Sequence, residues 1–444
     1  MRKVVVVVGA GVAGMQAAVD LAEMGFHVYL VEKEPWVGGR VARFEKVFPK
    51  NESSASFLRP RVEEVACNEK IELMSYSEVV AVRRVAGEFE VTVEQKPRYV
   101  DAEKCTSCGQ CAEKCPVEVP CEFNEGLGTR GAVYVPLPQQ EAPLCACAVV
   151  DFGSCLRGKG KGEGERKECD ACVKACERDA IDFSQEKRQS KVKAGAIILA
   201  TGAATYDPEP RNDYGYGIYE NVVTAMELER LLDSSGSGPT SGKVVRPSDC
   251  KEPSRVGFIN CVGSRDLRTN AYCSGGVCCM FNLKNAVLLK ERRPEISCYI
   301  FYTDLRASFR GYEELYNRAR EIGVRFVRGR PAEVVEKEGR KGALVVRVED
   351  TLKGKVRNVE VDLVVLGTGI VPQKDAEKMS KMLKIPRGAD GFLTEANPKL
   401  NPAETVAEGV FVAGGAAGPK DIQFAVAQGS AAAAKAAARA AGLK

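Results

Sequence analysis

The sequence predicts an α/β protein of two related βαβ halves, with a cysteine-rich α+β module inserted into the first. Three observations carry this. A strand–glycine turn–helix–strand pattern opens the chain, and a second α/β unit begins at Val256. Between them, from Tyr99 to Phe183, cysteine, proline and glycine replace helical or strand periodicity. At 444 residues the chain exceeds one ordinary core, so several domains are expected.

In chain order, residues 4–8 form an apolar run typical of a strand covered on both faces. A glycine turn, a helical pattern from Val12 to Met24 and a strand at His27 to Val31 complete a βαβ unit. Strand-like alternation runs from Ile71 to Thr92, placing the first part of this half in residues 1–98. Residues 99–185 form the insertion, and 186–215 return to the parent fold through the apolar run Ala194–Ala200. Residues 216–370 form the second unit, with a strand at Val256–Asn260, a helix near Asn282–Glu291, a strand at Ile296–Tyr302 and a closing strand from Leu363. Residues 371–444 rejoin the first half through a strand at Val410–Ala413 and an Ala-rich helix from Ile422 to Ala441.

Composition excludes several classes. A hydrophobic content of 45% with 28% charged residues is that of a globular protein, and a net charge of +4 argues against nucleic-acid binding. The one basic run, Lys159 to Lys167, is broken by Glu163 and Glu165 and reads as a solvated loop. No apolar run is long enough to span a bilayer, and the start runs into glycines rather than a cleavage site, so a cytoplasmic location is expected. The 18 cysteines then read as metal ligands rather than disulfides.

Gly9-Ala-Gly11-Val-Ala-Gly14 is the first chemical motif. Its first glycine permits a tight turn, the second lets backbone approach a pyrophosphate, and the third lets helix pack closely on strand. Glu32 ends the second strand, where an acid accepts hydrogen bonds from a ribose. Strand, glycines, helix, strand and acid in this order specify a Rossmann dinucleotide site. Lys33 follows the acid, Gly38-Gly39-Arg40 comes shortly after, and Thr201-Gly202 and Thr368-Gly369 end strands. Gly409-Val-Phe-Val-Ala-Gly414-Gly415 lies near the chain's end.

Together these motifs resemble the two-dinucleotide-binding-domain flavoproteins of the thioredoxin reductase type. The resemblance implies FAD at the first site, contacted by residues of these motifs and by Lys420. It also implies a final helix aimed at the flavin ring, where its positive end favours a reduced, anionic flavin. In that family an Asp after the last Ala-Gly binds the ribityl chain; here the position is Gly415, which cannot supply that contact. In the second half, the strand Val256–Asn260 runs into Cys261-Val-Gly-Ser-Arg265 with one glycine of the expected three. Direct use of NAD(P)H is therefore not expected.

Cys105-x2-Cys108-x2-Cys111-x3-Cys115-Pro116 is a [4Fe–4S] motif, whose fourth cysteine ligates the other cluster in two-cluster domains. Cys169-x2-Cys172-x3-Cys176 is the tail of a second copy. The expected sets are Cys105, Cys108, Cys111 and Cys176 on one cluster, and Cys115, Cys155, Cys169 and Cys172 on the other. Cys145 and Cys147 compete with Cys155. A third constellation is Cys261, Cys273, Cys278 and Cys279, placed where a nucleotide loop would lie. Cys67, Cys121, Cys250 and Cys298 read as isolated structural cysteines, and His27, the only histidine, as neither ligand nor base.

Further stretches resemble HdrA, the flavin subunit of heterodisulfide reductase, and its relative QmoA of the quinone-interacting oxidoreductase. They include Cys115-Pro-Val-Glu-Val-Pro, Phe123-Asn-Glu-Gly-Leu-Gly, Val223-Thr-Ala-Met-Glu-Leu-Glu-Arg, Cys261-Val-Gly-Ser-Arg-Asp266, Asp304-Leu-Arg and Gly418-Pro-Lys-Asp-Ile422. The resemblance implies an FAD and iron–sulfur oxidoreductase subunit with no catalytic side chain, in some members bifurcating or confurcating electrons. It implies a third [4Fe–4S] cluster on Cys261, Cys273, Cys278 and Cys279, and iron–sulfur partner subunits of the HdrB/HdrC or QmoB/QmoC kind. A homodimer within such a complex, docked at a membrane through a partner, fits the same picture. Where family members carry cysteines after the first βαβ unit this chain has Phe48–Ser56 with serines, so no cluster is expected there. The chain stops after its Ala-rich helix and resembles the short, QmoA-like type. An NADPH-dependent reductase subunit of the glutamate synthase small-subunit type, or an assembly subunit without turnover, are the rival readings.

Overall fold

The computed structural model describes residues 3–136, 147–158, 169–236 and 238–442. The basic run Lys159–Lys167 and Cys145 lie outside them. Five parallel strands form the first sheet in the order 410–412, 196–199, 4–8, 27–31 and 71–74. Val4–Val8 sits at its centre, pairing Val5 with both Ala196 and Val28, which is why its residues are almost all buried and apolar. The helix Val12–Glu23 packs on one face with the C-terminal helix Ile422–Ala440, whose alanines allow close approach. The stretch read as one alternating segment is three strands, Ile71–Met74, Ser77–Val85 and Glu88–Gln95. Only the first joins the parallel sheet. The other two form an antiparallel sheet with Arg188–Ala194.

A second five-stranded parallel sheet runs 222–224, 363–368, 255–262, 297–302 and 325–328. The helix Val277–Arg292 crosses it, starting five residues before the predicted Asn282. The early start follows from Gly276, whose φ of +87° sets the turn into the helix. Another helix, Ser54–Cys67, was not expected from the sequence; it carries Pro60 and a weak apolar pattern.

A buried ion pair of the second half grips the backbone of the first at Glu45 and Lys46. Lys284 and Glu229 are both fully buried; Lys284 Nζ donates to Glu229 and, at 2.9 Å, to the Lys46 carbonyl, while Glu229 also accepts from Glu45 N–H at 2.8 Å. Burial pushes the Lys284 ammonium below its usual value, and Glu229 opposes this. Removing one partner strands the other charge, so Glu229→Ala should cost about 3–5 kcal/mol in denaturant unfolding. A loss under about 0.5 kcal/mol, the range of ordinary surface changes, would show that the pair is not structurally needed.

Candidate functional site: a cofactor cavity between cysteine-bearing segments

A cavity of about 490 Å³ opens at the C-terminal edge of the first sheet. Gly9, Gly11, Glu32, Lys33, Gly39 and Arg40 line it from the first βαβ unit; Thr201, Gly202, Gly415 and Lys420 line it from the returning segments. Gly14 and Gly414 support it from behind. A Cβ on Gly14 would lie 1.8 Å from the Gly9 carbonyl oxygen, so this glycine lets helix meet turn. A Cβ on Gly11 would meet only the Gly39 Cα, at 4.0 Å, so Gly11 leaves backbone bare toward the cavity. That is the cradle a pyrophosphate requires.

Glu32 is buried, and each of its carboxylate oxygens takes one backbone N–H, from Ala10 at 2.7 Å and Glu34 at 2.9 Å. Burial raises its pKa while those bonds lower it. Each oxygen keeps capacity for a ribose hydroxyl. Arg40 donates to the Ala203 carbonyl, and its pKa is pushed down to about 10 by burial first and by Arg43 second. It stays charged at neutral pH, so an anion in the cavity is favoured. Lys420 lies 3.9 Å from Glu395 and Lys33 lies 3.5 Å from Asp375. These features fit a dinucleotide with its phosphates.

The helix Ile422–Ala440 points its N-terminus into the cavity through Asp421, Ile422 and Ala425. Asp421 caps it, accepting Phe424 N–H at 2.9 Å, and is tied to the second half by the Tyr312 hydroxyl. Sequence reasoning did not single out Asp421 among the contacts; its Asp-x-x-Phe spacing ahead of an apolar helix was the available N-cap signal. Gly415 has a steric reason. A Cβ there would stand 3.0 Å from Ala203 N and 3.1 Å from Gly202 C, so a larger residue would push apart the Thr201–Ala203 turn.

In the inserted module, Cys105, Cys108, Cys111 and Cys176 line one small cavity of about 110 Å³. Cys115, Cys155, Cys169 and Cys172 line another, of about 10 Å³. Short helices Gln110–Glu113 and Ala171–Ala175 pack together between them. Backbone N–H groups already aim at sulfur, Ser107 at Cys105 (3.4 Å) and Ala180 at Cys176 (3.3 Å). Burial and neighbouring thiols push Cys111 and Cys172 up to about 11. Such crowded, desolvated thiols fit ligands that iron would hold deprotonated. Among the described residues no His/Cys/Asp/Glu group is arranged for a single metal ion. A four-iron cube spreads its thiolates over separate irons, so that geometry is not required.

Cys155, and not Cys147, lines the second cavity. Cys147 stands beside Cys105, and burial pushes its thiol up to about 12. Cys67 and Cys250 are exposed, so neither is a core thiol, whereas Cys298 is buried in a strand. His27 lies 3.9 Å from Glu72 at the surface.

The module is fastened to the large cavity. Glu122 and Glu125 line its wall, Glu125 pairs with Arg43 at 2.7 Å, and Phe123 meets Trp36 edge-on at 5.6 Å. Arg230 of the second half bonds Asn124 at 2.8 Å and the Arg43 carbonyl at 3.0 Å, and lies over the Phe123 ring. Three parts of the chain therefore meet at one guanidinium.

In the second half, Cys261 is the last residue but one of the strand Arg255–Val262, with φ +63°, and Gly263 follows the strand. A Cβ on Gly263 would strike the Tyr206 ring at 2.1 Å, so the glycine serves that packing. Cys278 and Cys279 open the helix whose Val277 and Phe281 line the large cavity. Cys278 interacts with both Cys261 and Cys279. Cys261 is lowered to about 7, first by Cys278 and then, against burial, by Arg265, Arg330 and Ser264.

Comparison with known proteins points the same way. Residues 5–54 match the FAD-dependent oxidoreductase model and residues 98–120 the 4Fe–4S binding domain model. An HdrA-type iron–sulfur subunit of the CoB–CoM heterodisulfide reductase of Methanopyrus kandleri is 52% identical over 97% of this chain and 63% of that protein. The corresponding subunit of the H2:CoB–CoM heterodisulfide,ferredoxin reductase of Methanothermobacter marburgensis is 48% identical over the same shares. Over almost its whole length the chain is similar to HdrA subunits.

It spans 63% of the length of these HdrA relatives. Thioredoxin reductases share the fold: that of Lactococcus lactis at TM-score 0.53, 16% identity and 99% of both chains, and that of T. acidophilum at TM-score 0.52, 15% identity, 98% of this chain and 99% of that one. The domain matches support FAD and an iron–sulfur cluster as cofactors of this chain. Among the described residues no helix is long and apolar enough to cross a membrane.

Proposed function

We propose that this chain is an HdrA-type subunit, the FAD and iron–sulfur electron-transfer member of a heterodisulfide reductase-like oxidoreductase complex. One observation carries the reading: two cysteine-bearing parts of the chain contribute residues to the wall of a single dinucleotide cavity. The inserted module reaches it through Glu122 and Glu125, and the helix bearing Cys278 and Cys279 reaches it through Val277 and Phe281. FAD bound there exchanges electrons in pairs and iron–sulfur clusters exchange them singly, so the protein's part is placement and tuning. Gly9, Gly11, Glu32 and Arg40 would hold the nucleotide. The two cysteine sets of the module would each hold a [4Fe–4S] cluster, and Cys261, Cys273, Cys278 and Cys279 a third. Iron–sulfur partner subunits would carry electrons onward from a cytoplasmic chain.

Electrons would not enter from NAD(P)H. Cys261 and the packed Tyr206–Gly263 contact occupy the place where a second pyrophosphate turn would form. Neither NADH nor NADPH should bleach the flavin of the purified holoprotein, while a low-potential one-electron dye should. Bleaching by either nicotinamide at a turnover-like rate would favour the glutamate synthase-like reading instead. Iron analysis should give about twelve atoms per chain; about eight would remove the cluster at Cys261.

A further inference from the structure

The loop between Cys261 and Cys273 is more heavily supplied with donors than a structural turn needs. Cys261 and Arg265 both hold left-handed backbone, at φ +63° and +52°, a conformation that side-chain-bearing residues adopt at a cost. A buried charge network keeps them there. Asp266 accepts from Arg211 and, at 3.1 Å, from Arg330. Arg330 also donates to the Arg265 carbonyl at 3.0 Å and the Cys261 carbonyl at 3.4 Å. Asp304 pins Arg265 at 2.8 Å through one guanidinium nitrogen.

Two donors remain unused. The Ser264 hydroxyl, on a residue 1% exposed, completes no hydrogen bond to nitrogen or oxygen of the chain. The other terminal nitrogen of Arg265, Nη1, is buried and equally without a partner. An unpaired buried donor ordinarily costs about 1–3 kcal/mol, so such groups call for an acceptor. Both donors stand on the turn that leaves Cys261, where Ser264 N–H donates to the Cys261 carbonyl at 3.2 Å, so sulfur of a group bound at Cys261 is the acceptor this loop would offer them.

We propose that Ser264 and Arg265 form the donor shell of the Cys261 site and raise the reduction potential of the iron–sulfur cluster held there. The inference rests on the reading that Cys261, Cys273, Cys278 and Cys279 hold a cluster. Its physics is simple. Reduction would add one electron to a group of fixed ligands, and the added negative charge would be stabilised by a cation and a hydroxyl on the ligand-bearing turn. Ser264 and Arg265 are positioning residues; neither ligates iron.

The test uses the full-length holoprotein, titrated with mediators and dithionite and followed by electron paramagnetic resonance. Cys273→Ser first establishes the site: it should remove one cluster signal and about four irons per chain. In Ser264→Ala and Arg265→Gln the same signal should persist with full iron content. Its reduced fraction at fixed potential should fall about tenfold per donor removed, equivalent to ~59 mV for one electron. Arg265→Lys, which keeps the charge, should recover most of the shift. If Cys273→Ser leaves iron and spectra unchanged, the cluster reading fails and the proposal with it. If the signal is lost in Cys273→Ser but its midpoint is unmoved in Ser264→Ala and Arg265→Gln, the cluster stands and the donor shell is overturned. A variant that does not fold is replaced by Ser264→Cys, whose weaker donor should give a smaller shift of the same sign; a rise in potential counts against the proposal.

Discussion

Iron content in paired cysteine variants should be non-additive in a pattern set by the module's two cavities. Cys105→Ala or Cys176→Ala alone should each remove about four irons per chain, and the double variant should remove no more, because both residues line one cavity. Cys105→Ala with Cys115→Ala should remove about eight, although these cysteines belong to one sequence motif, because Cys115 faces Cys155, Cys169 and Cys172 across the other cavity. The physical reason is that a cube missing a thiolate exposes an iron and is readily lost, while a neighbouring cube with its own four ligands is untouched. Additive loss for Cys105 with Cys176 would mean that the fourth ligands do not cross between halves of the module.

Flavin content should separate two glycines of one motif. Gly11→Ala adds a methyl group that the protein itself accommodates, its Cβ having only the Gly39 Cα at 4.0 Å. That methyl projects into the space a pyrophosphate would use, so FAD affinity should fall about 10–100-fold, or ~1.4–2.8 kcal/mol. The folded state should be kept. Gly14→Ala drives a Cβ to 1.8 Å from the Gly9 carbonyl oxygen and 3.0 Å from its carbon. Helix and turn must separate, so stability should fall by about 1–3 kcal/mol and the flavin should be lost with it. Isothermal titration of the deflavo-protein and denaturant melts read the two effects apart. Equal FAD affinity in Gly11→Ala and wild type would sink the assignment of this turn to the pyrophosphate.

How much of this was readable beforehand varied with the range of the forces involved. The strands Val4–Val8 and His27–Val31 match expectation at both ends, and the helix Val12–Glu23 and the strand Val410–Val412 differ from it by one residue. In each, continuous burial or a strong local turn leaves little choice. The helix Ser54–Cys67 went unseen because its apolar positions are sparse and a proline interrupts it; packing of Leu58, Val62 and Val65 on the first core secures it. Local spacing could also name the thiols of Cys105–Cys115 as cluster ligands. It could not choose among Cys145, Cys147 and Cys155, whose separations through a loop carry no angular information.

Local chemistry in the chain was enough to determine the glycine turn, the acid that follows it, and the cysteine spacing matched by the 4Fe–4S domain. Each depends on neighbours a few residues apart, whose geometry the backbone constrains directly. Folding alone decided which distant groups meet: Cys176 with Cys105, Cys155 with Cys115, Asp421 with Tyr312, and Arg230 with Asn124 and Arg43. These contacts form only because sheet order and helix packing close loops of many residues, and no local pattern records that closure.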